Sequence, residues 1–232
     1  MPVDGDCHQF KTSIMKLFYP VLLFTAILSA AVVQAQVKND PEAKKILDGV
    51  SAKFKTFKTV KASFTYKVEN AAGKALSTKA GTVSMKGTKY RVSIVGQEIF
   101  CDGSNVWTYD KAANEVTITK FDNSSATLTP QKLFTNFYDK DFLYKLNGEK
   151  KQGTKVIQEI EMTPTDKTKS FSKVYVYVDK AAKTLSGTKV LETSGNRYSY
   201  TVNSLTPNTT IDDKQFVFDK AKYPGVEVVD LR

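Results

Sequence analysis

The sequence predicts a mainly β fold, a barrel or sandwich of antiparallel strands with one packed helix. The first observation is the stretch Phe100–Thr119, in which two short runs of β-branched and aromatic residues follow polar turns. Trp107 and Tyr109 share one strand face there, and Val116 and Ile118 alternate with polar neighbours. The second is that similar runs recur between Gly, Asn and Asp turns, and the third is a single long helical pattern. A length of 232 residues suits one such domain.

The first 35 residues have the features of an upstream extension followed by a secretory signal peptide. Lys16 precedes the apolar run Leu17–Leu28, and small residues lead to a cleavage site at Ala35, with Met15 as the natural initiator. A retained membrane anchor is the alternative, although the strictly apolar run is shorter than the about 20 residues that a span needs. We therefore expect a periplasmic protein, cleaved near Ala35, with residues 36–232 as a single domain.

Removal of this segment leaves no histidine and one cysteine, Cys101. An intramolecular disulfide, Ser-His-Asp or Cys-His catalysis and histidine-ligated metal sites are thereby excluded. The net charge of +10 fits a solvated surface, or weak attraction to anionic lipid headgroups or acidic proteins, because the lysines lie mostly in turns. We expect no cofactor, no metal and no nucleic-acid partner.

The predicted helix covers about residues 41–56. Asp40, Pro41 and Glu42 form a start signal, and apolar residues then recur at helical spacing. A second cap-and-proline start, Thr129-Pro130, precedes a short aromatic face with Leu133, Phe134, Phe137 and Tyr138. This second segment is either a lid over an opening or ordinary core.

Strands fill the rest of the chain. They are expected around Phe64–Val68, Val83–Met85, Tyr90–Ile94, Phe142–Leu146, Val156–Met162, Phe171–Val178, Lys189–Glu192, Tyr198–Val202 and Phe216–Phe218. Tyr175 and Tyr177 occupy one face of their strand and valines the other, which predicts burial on both faces. Glu159 and Glu161 share a strand face, and Asp139 and Asp141 are close, but neither pair specifies a reaction. No catalytic residue is assigned.

Five segments, in this order and spacing, resemble the periplasmic outer-membrane lipoprotein carriers, the LolA-like family, along almost the whole mature chain. They are the Pro41 helix ending in Phe54, Lys61–Val68, Gly81–Arg91, Asp102–Asp110 with Glu115-Val116, and Ile211–Phe218 with Pro224–Val228. The resemblance implies a half-open, strongly curved antiparallel β-barrel with helices covering an apolar cavity.

The resemblance also implies a function and site residues. The cavity would hold the acyl chains of a lipoprotein on its way from the inner to the outer membrane. Phe64, Tyr66, Tyr90, Trp107, Phe134 and Phe137 are the expected cavity and lid contacts. Lys86-Gly87 stands where many members have Arg-Pro, so Lys86 would be the lid lock, looser because lysine lacks the planar fork of arginine.

The partners implied are acylated lipoproteins or lipid, an inner-membrane lipoprotein-releasing transporter and an outer-membrane acceptor, with the carrier itself a monomer. Three alternatives stay open at this point. They are a general periplasmic lipid-binding protein, a carboxylate-dependent envelope glycosidase or lyase using Glu159 or Asp141, and a secreted β-domain without a cavity.

Overall fold

Helix α1 is the first element of the structure, a computed structural model that describes residues 39–122 and 141–232. It spans Pro41–Lys55, one residue shorter than predicted. The Asp40 carboxylate accepts hydrogen bonds from the N–H groups of Glu42 (2.8 Å) and Ala43 (3.4 Å), which would otherwise lack partners in the first turn. Its second oxygen accepts the N–H of Leu146 at 2.9 Å. One side chain therefore caps the helix and fixes it to a strand.

Within the described residues, twelve strands form one continuous sheet. Their bounds are β1 (Thr59–Glu69), β2 (Ala75–Lys86), β3 (Lys89–Ile94), β4 (Gln97–Cys101), β5 (Asn105–Asp110), β6 (Glu115–Lys120), β7 (Phe142–Gln152), β8 (Lys155–Pro164), β9 (Phe171–Asp179), β10 (Thr184–Glu192), β11 (Arg197–Pro207) and β12 (Glu227–Asp230). The spatial order is β12-β6-β5-β4-β3-β2-β1-β11-β10-β9-β8-β7. Neighbours are antiparallel except β12, which runs parallel to β6. The sheet is strongly curved and does not close, which confirms the predicted fold class.

Helix α1 packs on one face of this sheet, called here the helix-side face. Ala43, Leu47 and Val50 meet the valines of β9 together with Ile160 and Met162, and these residues form a buried core. The other side of the sheet, called the opposite face, carries Tyr175 and Tyr177. These tyrosines are only partly buried and lie beside Glu161 and Glu159. The sequence predicts burial on both faces of β9. In the structure only the face that carries the valines is fully buried.

A second core lies farther along the helix-side face. Val60, Met85, Tyr90 and Cys101 are buried there, and Phe54 and Phe57 pack on them from the end of α1 and the turn that follows. Register explains the grouping: Val60 pairs with Met85, Met85 with Tyr90, and Tyr90 with Cys101, so all four side chains point to one face.

The C-terminal segment covers part of the opposite face. Phe216 is fully buried, and the Phe218 ring meets Phe100 (centroids 5.7 Å apart) and Tyr223 (4.5 Å). The prediction that Phe216–Phe218 is a strand is wrong, because Asp213–Phe216 is a 3₁₀ helix started by the Asp212 cap. A second 3₁₀ helix, Lys220–Lys222, follows before β12.

Strand β7 also differs from the prediction. It was expected to end before Asn147-Gly148, yet it continues to Gln152 through a register shift at this point, and Gly148 adopts a positive φ of 139°. The glycine thus accommodates a bulge within the strand.

An exposed charge cluster attaches the C-terminal segment to the sheet. Asp213 accepts hydrogen bonds from Lys86 Nζ and Lys89 Nζ, each at 2.7 Å. This pairing lowers the pKa of Asp213 from 3.8 to about 2. The carboxylate therefore stabilises the folded protein above about pH 4, and this contribution is lost as the pH falls through about 2.

We predict that Asp213→Asn lowers the melting temperature at pH 7, because Lys86 and Lys89 lose the carboxylate that balances their charge. The difference from wild type should shrink as the pH approaches 2, where the native carboxyl also becomes protonated. Calorimetric melting of both proteins between pH 2 and pH 7 measures this. A constant difference across that range would contradict the assignment.

Candidate functional site

Four aromatic rings meet on the helix-side face, where β1 and β11 pair. The group, called here the aromatic quartet, consists of Phe64 and Tyr66 from β1 and Tyr198 and Tyr200 from β11. Ring centroids are 4.9 Å apart for Tyr66 and Tyr200, 6.1 Å for Phe64 and Tyr200, and 6.2 Å for Tyr66 and Tyr198. Tyr200 is 37% exposed and the others are half-buried. The quartet is an apolar surface that a ligand can reach.

Strand register produces the quartet. Tyr66 lies directly opposite Tyr200, and Val68 opposite Tyr198, so all four side chains project to the same face. A register shift at Ser63 and Phe64 leaves Asn203 of β11 as an extra residue. Because of this shift, aromatic residues on two strands form one row with little intervening polar surface.

Gly81 provides room for the Phe64 ring. The two residues are paired across β1 and β2, and a Cβ atom on Gly81 would overlap the ring, approaching Phe64 Cε2 to 2.8 Å. It would also come within 2.9 Å of the Ser93 carbonyl oxygen. Since atoms in protein interiors do not pack so closely, the bare backbone at this position is required for the ring to lie flat on β2.

The tyrosines of the quartet stay uncharged at neutral pH. Burial, followed by the nearby Tyr200, Tyr198 and Glu192, raises the pKa of Tyr66 to about 12. Burial also raises the pKa of Tyr200. The Tyr198 hydroxyl donates to Glu192 at 3.2 Å. A neutral aromatic surface favours hydrocarbon over charged ligands along its length.

A cleft continues from the quartet toward the helix. It has a volume of about 400 Å³ and lies between the end of α1 and strands β10 and β11. Its lining combines Phe57, Leu185, Val202 and Leu205 with Lys53 and the Lys155–Asp179 ion pair. Val202 pairs with Phe64 of the quartet, which makes the two surfaces continuous. The volume is in the range of small-molecule sites.

A larger cleft, of about 750 Å³, surrounds the turn between β3 and β4. Its lining reaches Phe64 and Gly81, but it also takes in Ser63, Thr82 and Ser93. These hydroxyl-bearing residues alternate with the helix-side residues of their strands and so belong to the opposite face. We assign the candidate site to the quartet and its adjoining cleft, because the four aromatic rings meet there.

The structure brings together two of the predicted site residues, Phe64 and Tyr66. Tyr90 lies on the same face but is buried beside Met85 and Cys101, and burial, followed by Cys101, raises its pKa to about 12. Trp107 points to the opposite face and packs in the cluster of Tyr109 and Val226 beneath the C-terminal segment.

Lys86 lies at the end of β2 on the opposite face, where its ammonium group pairs with Asp213. Phe134 and Phe137 lie outside the described residues. Tyr198 and Tyr200, which complete the quartet, were not predicted as site residues. The alternation Tyr198-Ser199-Tyr200-Thr201-Val202 placed them on one strand face, but only the pairing of β11 with β1 brings them to Tyr66.

The carboxylates considered for an enzyme are held as ion pairs. Asn147 Nδ2 donates to Glu159 at 3.0 Å and to Glu161 at 3.3 Å, and Lys173 donates to Glu161 at 2.6 Å. The lysine, then the amide, lowers the pKa of Glu161. A general acid needs a raised pKa, so Glu161 is not suited to that role. Asp141 lies at the start of β7, apart from the pair.

Within residues 39–122 and 141–232, no group of three or more His, Cys, Asp or Glu side chains could hold a metal ion. None of the helices in the same ranges has the combination of length and apolar character that crossing a bilayer requires.

The fold is similar to that of solved bacterial proteins. An uncharacterized conserved protein from Thermus thermophilus superimposes with a TM-score of 0.55 at 13% identity, covering 82% of this chain and 99% of the other. The lipoprotein LppX of Mycobacterium tuberculosis gives 0.47 at 10% identity, with 75% and 100% covered. A LolA superfamily protein of Nitrosomonas europaea gives 0.40 at 13%, with 77% and 98% covered.

Sequence comparison identifies the family. No curated protein sequence matches the chain. The sequence profile of the family described as outer membrane lipoprotein carrier protein LolA matches residues 55–219, which is more than half of the chain and includes the whole quartet. The protein therefore belongs to the LolA family of lipid- and lipoprotein-binding proteins.

Proposed function

We propose that this protein is a periplasmic carrier that holds the acyl chains of lipoproteins and shuttles them from the inner to the outer membrane. The observation that carries the proposal is the aromatic quartet, a half-buried apolar surface on an unclosed sheet in a member of the LolA family. Each methylene transferred from water to such a surface contributes about 0.8 kcal/mol, so long acyl chains require shelter of this kind in transit.

The geometry also suits release. The quartet rings are tilted or stacked at 4.9 to 6.2 Å, and three of them are half-buried, so a bound chain contacts rings without being enclosed by rigid core. In our proposal Phe134 and Phe137 contribute to a movable cover, and Lys86 takes part in its closure. Both roles come from the family resemblance.

The route also belongs to the proposal. A signal peptide cleaved near Ala35 would deliver residues 36–232 to the periplasm as a single carrier domain. A lipoprotein-releasing transporter of the inner membrane would load the carrier, and an acceptor in the outer membrane would unload it. The carrier needs no catalysis of its own, because the lipoprotein would pass from transporter to carrier to acceptor in order of increasing binding affinity.

A release assay tests the shuttling directly. Spheroplasts that retain newly made outer-membrane lipoproteins are incubated with the purified protein, and soluble lipoprotein is measured by immunoblotting. We expect lipoprotein to appear in the soluble fraction as a complex with the carrier, and to pass to added outer-membrane vesicles. Acyl-chain binding without any release would instead identify a general lipid-binding protein.

Substitution in the quartet tests where the chains bind. Tyr200→Ser should weaken binding of the neutral fluorophore N-phenyl-1-naphthylamine by about tenfold, because a large part of the ring surface is lost. Tyr175→Ser is the matched control, since this tyrosine lies in the neighbouring part of the sheet on the opposite face. Fluorescence titration measures both. Equal binding by the two variants would place the site elsewhere.

Gly81 offers a test of the packing beneath the quartet. Gly81→Ala should destabilise the protein by about 1–3 kcal/mol and weaken fluorophore binding, because the new methyl group displaces the Phe64 ring. Adding Phe64→Leu should recover part of the stability, since the smaller side chain vacates that space. Urea unfolding of the single and double variants measures the coupling, and strict additivity would contradict this packing.

A further inference from the structure

One transverse row of side chains crosses the helix-side face from its open part to its core. Lys79 of β2 lies opposite Tyr66, Tyr66 opposite Tyr200, and Tyr200 opposite Thr188 of β10. Thr188 in turn lies opposite Val176, which is in the core beneath α1. Residues directly opposite one another share a face. The row therefore begins at the ammonium group of Lys79, continues over the phenol rings and the threonine hydroxyl, and ends in the apolar core.

Lys79 is at the open end of this row. Strand β3 pairs with β2 only from Gly81 to Lys86, so Lys79 lies where β2 extends beyond its neighbour. Its side chain is exposed, and no carboxylate within the described ranges forms an ion pair with it.

The hydroxyl groups of the row also lack partners. Within residues 39–122 and 141–232, the hydroxyls of Tyr66 and Tyr200 have no hydrogen-bond acceptor. Thr188 is 2% exposed, and its Oγ1 is buried with no partner in the same ranges. Thr188 lies at the buried core end of the row and cannot meet a ligand headgroup at Lys79. The phenol of Tyr66 lies directly opposite Lys79 and can donate to the same ligand oxygen. Because the pKa of Tyr66 is about 12, its hydroxyl is a donor at neutral pH.

We propose that the site selects anionic amphiphiles, with the carboxylate or phosphate of the headgroup at Lys79 and the acyl chain running over Tyr66 and Tyr200 toward the core. This inference rests on the acyl-chain site of the proposed function. The acyl groups of a lipoprotein are ester- and amide-linked and carry no carboxylate or phosphate, so the anionic ligand is a free fatty acid or a phospholipid that occupies the same site. Lysine and phenol donors form strong, charge-assisted hydrogen bonds with such oxygens. The chain lies on rings that burial keeps neutral, and only the headgroup meets a charge.

A pair of matched probes separates headgroup from chain. cis-Parinaric acid and its methyl ester carry the same fluorescent chain, and only the acid is anionic. We expect delipidated wild-type protein to bind the acid about tenfold tighter than the ester, because the ester cannot form the charge-assisted contact with Lys79. Lys79→Gln should reduce this preference to less than twofold without changing ester binding, and Lys79→Arg should retain it.

Lys61→Gln is the control. This lysine is exposed on β1, next to the strand of Lys79, but it lies opposite Ser84 on the other face of the sheet. Its substitution removes the same net charge, so it should leave the preference at about tenfold. An equal loss of preference in Lys61→Gln and Lys79→Gln would show a general charge effect and overturn the inference.

The remaining outcomes are distinct. Displacement of the bound acid by laurate indicates a carboxylate ligand, and displacement by dilauroylphosphatidylglycerol indicates a phosphate ligand; either supports the inference. Equal affinity of wild type for acid and ester overturns the headgroup site while leaving the acyl-chain site intact. Failure of both probes to bind would overturn the acyl-chain site of the proposed function as well.

Discussion

The structure depends on how an unclosed sheet is covered. Twelve strands in one curved row have two faces and two edges, and each apolar area on a face needs a partner. Helix α1 covers the helix-side face at β7–β10, and the C-terminal segment covers the opposite face around β3–β6. The aromatic quartet lies between these cores, at the pairing of β1 and β11, and is only half-buried. The proposed binding surface thus arises from the layout of the sheet.

Several charges follow the same division, although the Lys155–Asp179 ion pair lines the cleft beside the quartet. Ion pairs such as those of Asp213 and Glu161 are on the opposite face, where they hold a terminal segment and a strand pair in place. The helix-side face around the quartet carries neutral phenols, and the lysine at its end has no counter-ion among the described residues. This arrangement is consistent with a carrier whose site binds hydrocarbon along most of its length and contacts a charged group at one end.

Much of this fold could be predicted from the sequence, because alternation, turns and helix caps are local signals. The helix start at Asp40 and the strand containing Trp107 follow from such signals. The strand expected at Phe216 failed because its aromatic residues pack on a sheet without joining it, and alternation does not distinguish these cases. Trp107 and Tyr90 were expected at the site from the family resemblance, yet the structure packs both in cores. The quartet depends on the pairing of β1 with β11, which lie more than a hundred residues apart in the sequence. No local sequence pattern indicates that pairing.

Photolabelling with a long-chain fatty acid that carries a mid-chain diazirine tests the central claim most directly, because the label marks the side chains that surround the middle of the hydrocarbon. After irradiation and tryptic digestion, mass spectrometry locates the adducts. We expect them on the helix-side residues of β1 and β11, chiefly Phe64, Tyr66 and Tyr200. Adducts confined to Tyr175, Tyr177 or Trp107 on the opposite face would contradict the account.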